Sequence, residues 1–262
     1  MTVSSSPSDS IRAAQAVLFD LDGVITDTAS LHRVAWAQLF THLFDELNDE
    51  GVEVRPYTEQ DYYDTVDGKP RFDGIRALLA ERGIEIPTGT PDDGPEMRTV
   101  HGLGSRKNAV FLGEVAAGNV RSYAGSVRLL DWLREHAVPC AVVSSSRNAV
   151  QVLTAAGLAD RFVLILDGGR AEDLGLAGKP APDTFAWAAQ QLGAAPAATV
   201  VIEDAVSGIA AAAAAGLHAV AVDRGAGAAA LAEAGAELVV TDLAQLIPVS
   251  DPVDQEPARS GT

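Results

Sequence analysis

From residue 123 onward, apolar runs of four or five residues alternate with longer segments whose apolar residues recur every three or four positions. The short runs predict strands at 139–143, 162–166, 199–202, 218–222 and 237–240. The periodic segments predict helices at 126–136, 148–156, 182–192, 206–215 and 226–234. Gly157 and Gly216 close two of these helices, and Pro182 stands where a first-turn proline is tolerated. Near the N-terminus, Ala16-Val17-Leu18-Phe19 is one more apolar run. Short apolar strands alternating with helices imply a parallel sheet covered on both faces, since a strand buried on both sides is apolar throughout.

Residues 30–120 break this rhythm. They hold helix-like pieces at 31–47 and 74–82 and a Pro/Gly/Asp-rich loop at 86–94, with few strand signals. The segment predicts a mostly helical insert. The α/β core is then discontinuous, 11–29 with 121–247, and the insert spans 30–120. The ends, 1–10 and 248–262, lack apolar periodicity and are expected to be disordered.

Composition narrows the partners. The chain has 262 residues, 47% of them hydrophobic, enough for one large domain or a domain with an insert. Its 19 basic and 36 acidic residues give a net charge of -17. That argues against general binding to nucleic acid or an anionic membrane and leaves room for a local basic pocket that takes a small anion. The single cysteine, Cys140, lies in an apolar run and reads as a buried core residue. With one cysteine no disulfide can form within the chain, which fits a reducing cytoplasm. No run is long and apolar enough to span a bilayer, and 1–10 has no apolar leader core, so a cytoplasmic location is expected. The oligomeric state stays open, with a monomer compatible.

Polar residues gather where the predicted strands end. Asp20 and Asp22 follow the first apolar run and, two apart on extended chain, face the same way before Gly23 allows a sharp turn. Two carboxylates that close repel unless a cation or a shared proton compensates, and a hard divalent cation takes oxygen ligands. Ser144 ends a second strand and Glu203-Asp204 a third, while Lys179 lies in a proline-rich loop before a helix. Taken singly, each has a bland reading: Ser144 as a helix cap, Lys179 as a surface lysine, Glu203-Asp204 as a helix N-terminus. Together they supply carboxylates, a hydroxyl, backbone N–H groups and a fixed ammonium beyond the carboxyl ends of a parallel sheet. That is the equipment of phosphoryl transfer, in which positioning and charge neutralisation do most of the catalysis.

In this order the four segments resemble the haloacid dehalogenase superfamily, over roughly residues 16–245: Asp20-Leu21-Asp22-Gly23, Ser144, Lys179-Pro180 and Glu203-Asp204. The resemblance implies a Rossmann-like core with an inserted helical cap. It implies Asp20 as nucleophile forming an aspartyl phosphate, Asp22 as general acid/base, and Ser144 and Lys179 on the transferring phosphoryl group. It implies Mg²⁺ held at Asp20, Asp22 and Asp204, with Glu203 supporting the metal site. Thr28, His32 and Trp36, then Gly68 and Arg71, then Lys107 and Asn108, and finally Ser145, Ser146, Arg147 and Asn148 resemble the substrate-binding positions of the β-phosphoglucomutase and sugar-phosphate phosphatase subgroup. The expected reaction is Mg²⁺-dependent conversion of β-glucose 1-phosphate to glucose 6-phosphate through the bisphosphate. The alternative is a sugar-phosphate phosphatase, and a remote one is a receiver-like phosphorylation switch. Arg71 suits a second phosphate dianion but could pair with Asp67 or Asp73 instead; Lys107 could be a solvated helix face and Trp36 core. Departures from the subgroup are extra sequence at 44–60 and 86–104, Ala205 where serine is common, and a longer loop at 167–178.

Overall fold

β1 (Ala16–Phe19) carries no polar side chain, and all four of its residues are buried. The computed structural model describes residues 11–66, 69 and 71–248, so the tails expected at 1–10 and 248–262, Pro248 apart, lie outside the described residues. These residues divide into two compact units, 11–26 with 122–248 and Asp27–Arg121.

After β1 the chain enters the second unit through α1 (Thr28–Asp49), α2 (Arg71–Glu81) and α3 (Val100–Ala116). It re-enters the first unit at α4 (Ala124–Glu135) and continues through β2 (Cys140–Val143), α5 (Ala149–Ala155), β3 (Leu164–Leu166) and α6 (Gly168–Asp173). Next come α7 (Asp183–Gln191), β4 (Thr199–Glu203), α8 (Val206–Ala214), β5 (His218–Val222), α9 (Ala228–Glu233) and β6 (Leu238–Val240).

The six strands pair in parallel in the order β3-β2-β1-β4-β5-β6. The chain moves outward from β1 in one direction through β2 and β3 and in the other through β4, β5 and β6. The sheet therefore has a switch point beside β1, and loops leaving the carboxyl ends there part to opposite sides, opening a crevice. β2 and β4, like β1, are buried along their whole length, as central strands covered on both faces must be. Leu18 and Val201 pack with Phe185 of α7 and Ile209, Ala211 and Ala212 of α8. Alanines on α8 bring its backbone close to the sheet, and a fully buried Phe185 contributes about 1.5–3 kcal/mol by apolar burial. Cys140 is buried as expected, which pushes its thiol up to about 12 and leaves it inert at neutral pH.

The helical unit builds its own core. Trp36, Leu39, Phe40, Leu43, Phe44 and Leu47 form one stripe on α1, met by Ile75, Leu78 and Leu79 of α2 and Leu103 of α3. Trp36 stacks on Phe40 with centroids 5.5 Å apart. A short helical turn, Glu59–Asp61, runs into a π-helical turn, Tyr62–Val66. Asp61 anchors it: its carboxylate accepts from the Thr58 backbone N–H and lies 2.7 Å from the buried Arg82 guanidinium. Removing either charge from such a buried pair would cost about 3–5 kcal/mol.

Two elements depart from the expected ones. α3 lies in the mostly helical insert but outside the two helical pieces predicted there, because Gly102, Gly104 and Gly113 dilute its pattern and a lysine, Lys107, occupies its buried stripe between Leu103 and Phe111. The extra loop at 167–178 contains the short helix α6, capped by Asp167, whose side chain accepts from the Arg170 N–H. Among the described residues no helix is long and apolar enough to cross a membrane.

Candidate active site

Three adjacent strand ends meet at one ammonium group. Lys179 Nζ lies 2.5 Å from Asp20 Oδ1 just beyond β1, 3.0 Å from the Val143 carbonyl at the end of β2, and 2.8 Å from Glu203 Oε1 at the end of β4. Its side chain is 7% exposed. Burial alone would push this ammonium down, but Asp20 and Glu203 outweigh it and hold its pKa above the ordinary lysine value. Lys179 is followed by a cis peptide bond to Pro180.

Asp20 feels the opposite balance. Burial raises it well above the ordinary carboxylate range, Lys179 pulls it back, and Glu203, Asp22 and Asp204 push it up again. Burial, then Glu203 and Asp22, raise Asp204 to about 7. Four carboxylates thus crowd one ammonium. Gly23 permits the crowding: its φ is +83°, and a Cβ there would fall far inside contact distance of the Asp204 carboxylate. The Gly23 N–H donates to the Thr26 carbonyl, closing the turn that carries Asp22.

The donor set fits a hard cation. Asp20 and Asp204 offer carboxylate oxygens, the second close enough to push the first up. Among the described residues no group of three or more His, Cys, Asp or Glu side chains stands at metal-holding spacing. An ion here would draw on two carboxylates, main-chain oxygen, water and a bound phosphate, the pattern typical of Mg²⁺. Glu203, expected to support the metal site, has both oxygens otherwise engaged. Oε1 accepts from Lys179, and Oε2 accepts from the N–H groups of Asp204 and Ala205. The side chain orients Lys179 and the turn after β4.

Ser144 is buried, and its Oγ accepts from the Ser146 N–H, while Ser146 Oγ accepts from the Asn148 N–H. Ser144 therefore shapes the loop after β2 and does not cap α5, whose N-cap is Asn148. Asn148 is buried and Ser145 is exposed. Arg147, expected at the substrate, is ion-paired with Glu172 of α6 on the surface.

In the helical unit the expected residues form two groups. Arg71 Nη2 donates to Asn108 Oδ1 at 2.9 Å, Asp73 pairs with Arg76, and Asp67 lies outside the described residues. Lys107 is buried, 3% exposed, not on a solvated helix face. Its Nζ lies 2.5 Å from His32 Nδ1 and over the rings of Trp36 and Phe111. An ammonium can only donate, so Nδ1 accepts and His32 carries its proton on Nε2. Burial, then Lys107 and Arg71, lower His32 to about 3, which keeps it neutral. Trp36, expected at the substrate, belongs to the core: it is 6% exposed and stacked on Phe40. Thr28 is fully buried at the start of α1. Gly68 lies outside the described residues.

A family model of haloacid dehalogenase-like hydrolases matches residues 14–216. The chain belongs to that family. It is 46% identical to a β-phosphoglucomutase of Mycobacterium bovis over 241 residues, 89% of this chain and 91% of that protein. To the β-phosphoglucomutase of Bacillus subtilis it is 32% identical, over 88% of this chain and 91% of that one. Among solved structures it resembles a HAD family hydrolase from Deinococcus radiodurans, with bound phosphate and sodium, at 33% identity and a TM-score of 0.65. That match covers 89% of this chain and 93% of the other. The protein is an enzyme of the phosphotransferase or phosphatase type.

Sequence reasoning on this family member passed over Gly208. A Cβ on Gly208 would collide with the Glu203 carboxylate, so the glycine opens the space under α8 in which Glu203 reaches Lys179. The available signal was a lone glycine in the first turn of an otherwise alanine-rich helix.

Proposed function

We propose that this enzyme transfers a phosphoryl group on a sugar phosphate through an aspartyl phosphate on Asp20, as a β-phosphoglucomutase. The observation that carries the reading is the Lys179 ammonium spanning Asp20, Val143 and Glu203 across three neighbouring strand ends. A fixed positive charge there neutralises both the nucleophile and the oxygens of an incoming phosphoryl group. An Asp20 carboxylate oxygen attacks phosphorus and the P–O bond to the sugar breaks, while Asp22 gives its proton to the departing sugar oxygen. In the return step Asp22 takes the proton of the attacking sugar hydroxyl, whose oxygen displaces Asp20 from phosphorus. Ser144 and the N–H groups of its loop hold phosphoryl oxygens. Mg²⁺, held by Asp20, Asp204 and the Asp22 carbonyl, supplies charge neutralisation at the phosphoryl oxygens.

In this reading the helical unit is a cap, and Arg71, steadied by Asn108, takes the phosphate at the non-reacting end of the sugar. The neutral His32 and the buried Lys107 support the same end. Supporting the mutase over a phosphatase are the cations Arg71 and Lys107 and the 46% identity to a protein named β-phosphoglucomutase. The test is incubation of the purified protein with Mg²⁺, β-glucose 1-phosphate and a trace of glucose bisphosphate. Glucose 6-phosphate and free phosphate are followed separately. Glucose 6-phosphate is expected to outrun phosphate; phosphate as the main product would assign a phosphatase.

A further inference from the structure

β5 too is followed by charged residues, Asp223-Arg224. Asp223 ties its own loop down: Oδ1 accepts from the N–H groups of Gly225 and Gly227, and its N–H donates to the Val240 carbonyl. Arg224 then reaches back toward β1. Its Nε donates to the Gly23 carbonyl at 2.9 Å, its Nη1 to the Thr241 carbonyl at 3.2 Å, and its guanidinium lies 3.8 Å over the Tyr123 ring. Tyr123 is itself joined to the same stretch, since its N–H donates to the Ile25 carbonyl.

The Gly23 residue is therefore held from both sides. Its N–H is fixed by the Thr26 carbonyl and its C=O by Arg224. The peptide between Asp22 and Gly23 forms one arm of this clamp: its N–H is the one tied to Thr26, and its oxygen is the Asp22 carbonyl. A left-handed glycine has no side chain to restrict it, so these two bonds fix the direction in which that carbonyl and the Asp22 carboxylate point. A flat, forked guanidinium suits the task, because one plane can stack on a ring while two N–H groups reach two carbonyls; an ammonium has no such plane. None of these three partners carries a charge, so the contact is spent on geometry and not on ion pairing.

We infer that Arg224 is a positioning residue that sets the Asp20–Gly23 turn for cation binding and phosphoryl transfer. The inference rests on the proposed Mg²⁺-dependent chemistry. Partners behind a metal's direct ligands usually change affinity or activity by about 10–100-fold. Arg224→Ala should weaken Mg²⁺ binding, measured by titration calorimetry without substrate, about tenfold. It should lower kcat about tenfold on both β-glucose 1-phosphate and p-nitrophenyl phosphate, with KM within about twofold. Arg224→Lys keeps the charge but not the fork and should stay closer to the alanine variant than to the parent. If Arg224→Ala does not fold, Tyr123→Leu replaces it; that change removes the stacking ring, and a weaker Mg²⁺ affinity in the same direction is expected.

A folded Arg224→Ala with a lower Tm but parental Mg²⁺ affinity and kcat would reduce Arg224 to fold support and overturn the inference. Full recovery in Arg224→Lys would overturn it too, by showing that charge alone matters. A parent protein that neither binds Mg²⁺ nor turns over either ester would overturn the proposed function, and this inference with it.

Discussion

In the sheet unit, charged groups stand where apolar strands stop; in the helical unit they stand inside the apolar stripes. Asp20 follows β1, Glu203 ends β4 and Lys179 comes from the loop before α7, where the backbone leaves the sheet and its turn peptides can serve as partners. Lys107 occupies a buried stripe position of α3, flanked by Trp36 and Phe111 and bonded to His32. The first arrangement leaves the core whole and places several like charges side by side. The second puts one ammonium into a core and surrounds it with rings and a neutral imidazole. Site-building at strand ends makes for dense chemistry, and site-building within a helix face makes for a group whose state is tied to packing. If this contrast is right, mutations in the sheet unit should act on chemistry with little effect on folding, and those in the helical unit should affect substrate choice or stability.

The largest effect is expected from Asp20→Asn. The amide is nearly isosteric and cannot act as this nucleophile, so turnover and phosphoenzyme formation should vanish. The loss should be about 10⁴-fold or more, the scale seen when a covalent nucleophile is removed. The Tm should hold, because the change takes one charge from a crowded set. Phosphate release assays on protein free of deamidation, with a thermal melt, decide it. Substantial activity would remove Asp20 from its role; collapse of the fold would break the contrast between the units.

The two placements also explain what could be read from the sequence. A strand end is marked by an abrupt change from apolar to polar residues, so Asp20, Ser144 and Glu203-Asp204 were visible, as were the strands and the helices between them; the order of the strands in the sheet was not. Lys179 was visible through its prolines. Gly208 and Arg224 were not: Arg224 acts through a contact with the distant Gly23, and Gly208 through the space it leaves for the Glu203 side chain, which a lone glycine in a helix does not announce. α3 was hidden because its stripe includes Lys107 and its faces carry three glycines, which erase the period that a helix is read from. Of the two readings open for Trp36, its burial and its stack on Phe40 agree with core.

Arg71→Ala should come next in size. Arg71 is assigned to the non-reacting phosphate, and losing one charge-assisted partner of a desolvated dianion costs roughly 2–5 kcal/mol. Isomerisation of the sugar phosphate should fall accordingly, while hydrolysis of p-nitrophenyl phosphate should barely change. Asn108→Ala, which releases the Arg71 guanidinium, should give a weaker effect in the same direction. Equal losses on both substrates would assign Arg71 to the fold, and no loss on either would favour the phosphatase reading.

His32 provides a smaller effect on stability. Above pH 6.5 it is neutral folded or unfolded. Between 6.5 and about 3, the unfolded chain binds a proton that the folded protein refuses, because burial and then Lys107 and Arg71 disfavour the imidazolium. Stability is therefore lost on acidification through that window, at up to about 1.4 kcal/mol per pH unit from this residue. His32→Gln cannot titrate, so urea unfolding at pH 6, 5 and 4 should show a shallower decline than the parent. Parallel declines would mean that His32 does not carry this cost.

The smallest effect belongs to a histidine of the sheet unit and has the opposite sign. His218 Nδ1 lies 2.9 Å from Glu237 Oε2, and Nε2 lies 3.0 Å from the Ala197 carbonyl. Both partners are acceptors, so the ring bonds both only as an imidazolium, and the Glu237 hydrogen bond raises its pKa above 6.5 against partial burial. The stabilisation is full below pH 6.5 and is lost as pH rises through the raised folded value. Glu237 and His218 are both exposed enough that solvent screening limits the gain to about 1 kcal/mol or less. His218→Gln should thus lower the urea midpoint slightly at pH 5.5 and leave it unchanged at pH 9. A penalty of equal size at both values would show that the ring contributes by packing alone. The pH response of folding would then rest on His32 and the carboxylates.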